Sequence, residues 1–250
     1  MAQVPAAARA LQVLKFLATQ PEPVSLERIA RAVKMPRSTA YHLMNTMIAE
    51  GFVVHVAEDS RYGLGVAAHE VGTGFARQAP MQRIARRLLA GLVDRVGHSA
   101  HLAVPHGRDV LYVLEERAPG RPSLVTDVGV RLPAHLTASG RAILAELPAA
   151  QVRALFPDRA AFVSRHDIGP ASLSALRAEL SRTRQRGYAE ERGEITPGFA
   201  SVGVAVLDHN ELPLAGIAVT FPEDQAVDVP ALAAAVAGVA HTLGRRLGGA

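Results

Sequence analysis

The run PRSTAYHLMNTMIAEGFV, Pro36 to Val53, decides how this chain reads. Pro36 suits the first position of a helix, where its missing N–H costs nothing. Gly51 suits the left-handed position that closes one. Between them Ala40, Leu43, Met44 and Met47 share one arc of the 3.6-residue period, and Ser38, Tyr41, His42 and Asn45 share the opposite arc. One face is therefore core, and the other is polar, uncharged or cationic, with hydrogen-bonding tips.

Upstream, Ala10, Leu11, Leu14, Leu17 and Ala18 fall at helical spacing, and QPEP (20–23) ends that helix. Ser25 is a good N-cap for a second periodic run through Leu26, Ile29, Ala30 and Val33. Downstream of Gly51, FVVHV and RYGLG flank AEDS, which reads as a two-stranded hairpin with a polar turn. No carboxylate lies between Glu27 and Glu50, whereas Arg28, Arg31, Lys34 and Arg37 all fall there beside His42. That is the local cationic surface a phosphate backbone requires. Three short helices and a hairpin are the layout of a winged helix-turn-helix, whose third helix reads base edges in the major groove while cations hold phosphates. The competing reading is an ordinary solvated helix in a small helical domain.

Composition narrows the function classes. The 250 residues suffice for one large domain or two modest ones. With no cysteine, disulfides, thiolate metal sites and cysteine nucleophiles are excluded. The apolar N-terminal stretch is broken by Arg9, Gln12 and Lys15, and nowhere do roughly 18 uninterrupted apolar residues occur. A soluble, unprocessed, cytoplasmic protein is expected. Lys plus Arg number 27 against 23 Asp plus Glu, compatible with an anionic partner.

The remainder predicts an α/β domain with a largely antiparallel sheet, because several strands follow one another through short turns. The segment 65–80 is a weak helix with Gly72 and Gly74 inside it, a natural hinge between domains. A stronger helix carries Ile84, Leu88, Leu92 and Val96 on one stripe. Strand candidates are AHLAV, DVLYVLEE and SLVTDV, then GFASVGVAVLD and PLAGIAVTF joined across HNEL; helices are TASGRAILAEL, ASLSALRAELSRTRQRG and VPALAAAVAGVAHTLGRRL.

Catalytic signatures are weak. His98, His101 and His106 invite a metal reading, but the odd spacing of the first two sends them to opposite faces of a strand. His69-Glu70 lacks the second histidine of H-E-x-x-H, and no G-x-S-x-G occurs. Ser139 near His135 sits in a segment better read as a loop ending at a helix N-terminus. No catalytic residue, metal or cofactor is expected. Thr137 to Gly140 form the first turn of that helix, whose free backbone N–H groups suit a carboxylate. A capped helix with no ligand fits the same residues.

The run SLERIARAVKMPRSTAYHLMNTMIAEGFV followed by RYGLG resembles the DNA-binding end of the IclR family of bacterial transcription regulators. RLPAHLTASGRAILA (131–145) and RGYAEERGEITPGFASVGVAVLD (186–208) resemble two segments of that family's ligand-binding domain, in family order and spacing. The resemblance implies an α+β protein with a winged helix-turn-helix domain (1–65), a linker helix (66–79) and a C-terminal GAF-like α/β effector-binding domain (80–250), in dimers or tetramers. It implies a regulator of operator DNA with inverted symmetry, controlled by a small organic or aromatic acid. Arg28, Arg37 and Arg61 are the expected phosphate or groove contacts, and Ser38, Thr39, Tyr41, His42 and Asn45 the readout face. Carried over by position, Ala138 and Ser139 offer backbone N–H groups, Leu124 and Phe199 are apolar walls, and Glu191, Ser201 and Thr220 are polar contacts. Ala218 falls where some members carry a hydroxyl. With Glu191 present an anionic ligand needs a compensating cation such as Arg121 or Arg141. The alternative from another class is a ligand-binding or catalytic α/β protein with an N-terminal protein-interaction domain.

Overall fold

The computed structural model describes residues 4–78, 80–120 and 126–247. The chain divides into two compact units, 1–78 and 79–250.

In the first unit, helix α1 (Pro5–Leu17) is followed by strand β1 (Val24–Ser25), α2 (Leu26–Ala32), α3 (Arg37–Ala49), β2 (Val53–Val56), β3 (Arg61–Leu64) and α4 (Val66–Gln78). Ser25 caps α2 by accepting from the Arg28 N–H at 3.4 Å, which satisfies one of the first-turn donors. Gly51 closes α3 at φ +73°. Pro36 stands one position earlier than expected. Its ψ of 146° makes it the N-cap, so Arg37 opens the helix. The strands form an antiparallel sheet in the order β1-β3-β2. Val13, Ile29, Ala40, Met44, Met47 and Val53 build the core beneath it, with Leu43 partly buried at its margin. Leu17 is buried as expected on the stripe of α1, but Leu11 is exposed and Val13 is buried in its place.

In the second unit, α5 (Pro80–Val96) leads to β4 (Ser99–His106), β5 (Asp109–Glu116), β6 (Arg131–Pro133), α6 (Ala138–Glu146) and α7 (Ala149–Leu155). Then come α8 (Leu173–Arg186), β7 (Ala189–Arg192), β8 (Phe199–Leu207), β9 (Pro213–Pro222) and α9 (Val229–Leu247). The six strands pair antiparallel throughout, in the order β6-β5-β4-β9-β8-β7. Helices α5 and α9 cover one face of this sheet, and α6, α7 and α8 cover the other. The buried stripe of α5 is Ala85, Leu89, Leu92 and Val93, so the expected stripe was rotated; Ile84, Leu88 and Val96 flank it, partly buried. Of the expected strand SLVTDV, Thr126 lies in a turn, and Ser123 to Val125 fall outside the described residues.

Alternation along β8 and β9 sorts side chains by size. Val202, Val206, Ile217, Val219 and Phe221 meet α5 and α9. The opposite face carries Ser201, Gly203, Gly216, Ala218 and Thr220, whose small size lets α6 come down almost onto the strand backbone. A bulge between Leu102 and Ala103 pairs Leu102 with Leu114 but Ala103 with Tyr112. The extra residue re-aims one strand relative to the other. It is why Tyr112 and Glu115 serve the same face of β5 although their spacing is odd.

Candidate functional site

The first candidate surface is on α3. Ser38, Thr39, Tyr41, His42 and Asn45 are all exposed, on the side away from Met44 and Met47. The Tyr41 ring is half exposed and stands edge-on to His42, so it is available for contacts rather than packed. Arg37 projects from the start of α3 and meets Glu27 at 2.8 Å, an exposed pair that a phosphate can displace at little cost. Arg28 donates to Gln20 Oε1 at 2.8 Å, and Arg61 donates to the Pro23 carbonyl oxygen at 3.4 Å. The latter two cations are thus held at fixed points beside the hairpin and α2.

The second site is a cavity between α6 and the sheet of the second unit. It is lined by His101, Tyr112, Thr126, Thr137, Ala138, Glu191, Ile195, Thr196, Phe199, Ser201, Ala218 and Thr220. At about 20 Å³ it is roughly the size that accepts one water molecule. Thr137 caps α6, its Oγ1 accepting from the Gly140 N–H at 3.0 Å. The N–H groups of Ala138 and Ser139 lie in the first turn, where no intrahelical acceptor exists. Opposite them, the Ser201 and Thr220 hydroxyls meet at 2.9 Å.

Glu191 is buried, and one carboxyl oxygen accepts from the Ile195 N–H at 3.0 Å. Burial pushes its acid up to about 7, assisted by the charge of Glu194 and opposed by Ser201 and Arg141. Tyr112 is buried beside it, with its hydroxyl 3.3 Å from the Ser139 hydroxyl; burial raises it to about 12, so the phenol stays protonated. His101 Nε2 lies 2.8 Å from the Thr126 hydroxyl and 3.5 Å from Glu115 Oε1. The histidine, followed by Arg117 at 3.0 Å, pulls the Glu115 carboxyl down to about 2.

Arg141 does not reach into the cavity. Its guanidinium is buried, donating to the His135 carbonyl at 2.8 Å, the Glu190 carbonyl at 2.7 Å and Glu194 Oε1 at 2.7 Å. It ties the start of α6 to β7 and the turn beyond, and is fully used there.

Of the expected effector contacts, Ala138, Glu191, Phe199, Ser201, Ala218 and Thr220 line this one cavity. Ser139 lies behind the wall, bonded to Tyr112 and wholly buried. Leu124 and Arg121 lie outside the described residues. Sequence reading missed His101 and Tyr112 as wall residues, whereas Thr137 belongs to the turn it singled out; the alternation of His101 with Ala103 on β4 carried the signal for the first. Among the described residues no group of three or more histidine, aspartate or glutamate side chains converges as a metal site. No described helix is long and apolar enough to cross a membrane.

Residues 6–57 match the IclR helix-turn-helix domain, and residues 74–244 match the bacterial transcriptional regulator IclR C-terminal domain. The chain belongs to the IclR family. It is 33% identical over 222 residues to a probable transcriptional regulator, SauR, of Cupriavidus necator, covering 87% of this chain and 86% of that one. It is 31% identical over 244 residues to the glycerol operon regulatory protein of Streptomyces coelicolor, covering 96% and 95%. Its fold matches that of an IclR homologue from Microbacterium hydrocarbonoxydans complexed with 4-hydroxybenzoate, with a TM-score of 0.79 at 21% identity, covering 97% and 98%. Like its relatives, this IclR-family chain is a transcriptional regulator and not an enzyme, with a helix-turn-helix DNA-binding domain and a C-terminal ligand-binding domain.

Proposed function

We propose that this regulator binds operator DNA with an affinity set by a small organic or aromatic acid held in the cavity under α6. The observation that carries the reading is the convergence, on one enclosed space, of the α6 N-terminus with polar side chains from β4, β5, β7, β8 and β9. Backbone N–H groups at a helix start favour a carboxylate. The hydroxyls of Ser201 and Thr220, with Glu191, suit a hydroxyl elsewhere on the ligand. The fold neighbour complexed with 4-hydroxybenzoate supports an aromatic acid as one member of the class. Because the cavity is this small, ligand entry requires the α6 side and the sheet to part, which is the kind of two-state change that can be coupled to DNA.

On the DNA side, Arg28, Arg37 and Arg61 hold phosphates while Ser38, Thr39, Tyr41, His42 and Asn45 read bases. One winged helix covers few base pairs, so a homodimer or dimer of dimers acts on a site with inverted symmetry. The working division is a DNA-binding domain over 1–65, a linker helix over 66–79 and a GAF-like domain over 80–250, in a cytoplasmic protein. The test is selection of bound duplexes from a random pool, repeated with a panel of small acids. An inverted repeat whose affinity shifts with one acid is expected. Binding with a shallow salt dependence and no sequence preference would instead favour a protein-interaction role for the N-terminal domain.

A further inference from the structure

One buried nitrogen of His101 is accounted for by nothing among the described residues. The ring is 1% exposed, lines the cavity, and engages Thr126 and Glu115 through Nε2. Its Nδ1 has no hydrogen-bond partner among the described residues. With an ionised Glu115 beside Nε2, that nitrogen carries the ring's proton, so Nδ1 presents either a bare lone pair or, on a second protonation, an N–H. A buried polar atom in either state calls for a partner. His135 also has an unpartnered Nδ1, but its ring is enclosed by Phe156 and Phe162 and does not line this cavity.

Among the described groups facing the cavity, His101 is the one whose protonation brings a positive charge to a ligand, since a proton on Glu191 only neutralises that carboxylate. From β5 come Glu115, already ion-paired to Arg117, and Tyr112, whose ring stands edge-on at 5.9 Å with its hydroxyl beside Ser139. From β7 comes Glu191, with one oxygen committed to the Ile195 N–H. Strand β9 supplies Ala218 and Thr220, and α6 supplies Thr137 and Ala138, none of them charged. Arg141 is consumed outside the cavity. Among the described residues a carboxylate entering this space meets no ready cation, and a buried anion without one is costly.

We propose that the cavity takes up a small monocarboxylate together with one proton from solvent, which adds to Nδ1 of His101 so that the new N–H donates to the ligand's carboxylate. Glu115, behind the ring on Nε2, is the fixed counter-charge for the imidazolium. This rests on the effector reading of the same cavity. The site so described selects singly charged acids and discriminates against their uncharged amides at low pH more than at high pH, because only the acid gains from the proton. Affinity for the acid falls as pH rises, since one proton is bound with each ligand.

The test is calorimetry on the full-length chain with acetate, benzoate and 4-hydroxybenzoate, and with acetamide and benzamide as neutral counterparts. Measured at about pH 8 in two buffers of different ionisation enthalpy, a binding carboxylate should take up about one proton and a binding amide none. His101→Asn should abolish the uptake and weaken the acid while sparing the amide; uptake kept in His101→Asn but lost in Glu191→Gln would assign the proton to Glu191 and overturn the inference. A second measurement needs no variant: in the wild-type chain with 13C-labelled histidine, the acid should move one histidine signal to its imidazolium position. Acid binding without proton uptake, uptake that survives His101→Asn, or unmoved histidine signals would overturn this inference while leaving the effector reading intact. Failure of every probe to bind the wild-type chain would overturn both.

Discussion

Gly203 on β8 lies directly against the Ala138 backbone: a Cβ at position 203 would stand 2.5 Å from the Ala138 carbonyl carbon and 2.8 Å from the Ser139 nitrogen. Both obstructing atoms are backbone at the start of α6, so no side-chain rotation relieves the clash. Gly203→Ala should therefore lift α6 from the sheet and destabilise the C-terminal unit by roughly 1–3 kcal/mol, the usual cost of overpacking. Gly238 on α9 has nothing within 4 Å of the same construction, so Gly238→Ala should be neutral or slightly stabilising. Denaturant unfolding of the full-length variants measures the contrast, and equal stabilities would remove close packing as the reason for Gly203.

The packing also explains which parts of the fold and site were legible in sequence. Strands β8 and β9 showed themselves as apolar runs joined across the turn-like HNEL, and the α6 start through Thr137 and the small residues after it. Strands β6 and β7, three and four residues long, have too little pattern to stand out, and α7 has seven residues. Tyr112 and Glu115 were opaque for another reason. Period-two reading puts them on opposite faces, and the bulge opposite Leu102 and Ala103 brings both to one. His101 was weighed as a metal ligand beside His98, and the odd spacing correctly parted them: His98 packs by Phe221 on the α5 and α9 side. What the spacing could not show was Glu115 behind it, a contact made across strands.

Two carboxyls give the C-terminal unit opposite pH dependences. Glu191 titrates near 7 when folded against an ordinary value of 4.5, so between those values the folded chain holds a proton that the unfolded chain has released. Its contribution to stability consequently falls as pH rises through that window, by about 3 kcal/mol at most. Glu115, drawn down to about 2, contributes stability that is present above 4.5 and lost as pH falls toward 2. Unfolding of Glu191→Gln against wild type should show the variant gaining relative stability from pH 5 to about pH 8. A constant difference across that range would show that Glu191 ionises freely.

On the DNA-binding side, Arg37 and Asn45 should separate affinity from specificity. Arg37 is exposed at the start of α3 and only weakly engaged by Glu27, so Arg37→Ala should weaken binding to all duplexes and reduce the salt slope by about one ion. Asn45 is exposed on the arc opposite Met44, and Asn45→Ala should relax preference for the best site by roughly 1–3 kcal/mol. Competition binding on matched and mismatched duplexes distinguishes the two. Equal losses on every duplex for Asn45→Ala would remove it from the readout face.

The switch is best tested at Ala218. Ser139→Phe is a poor probe, because Ser139 is wholly buried and its carbonyl oxygen is the closest backbone obstacle to a Cβ at Gly216, so a phenyl ring would disrupt α6 before reaching the cavity. Ala218 is a wall residue, and its neighbours in register are His101 on β4 and Gly203 on β8. In a cavity of about 20 Å³ the two added methyl groups of Ala218→Val occupy the space an effector must open. The variant should lose the DNA response to the acid that wild type recognises, with unliganded DNA affinity within about twofold of wild type, since the core of the first unit is its own. Because linkage is reciprocal, the same variant should also lose the effect of DNA on ligand affinity, typically worth about 1–3 kcal/mol. Gel shifts with and without the acid, and calorimetry with and without operator, measure the two sides of that coupling. A full response in Ala218→Val would place the effector somewhere other than the space under α6.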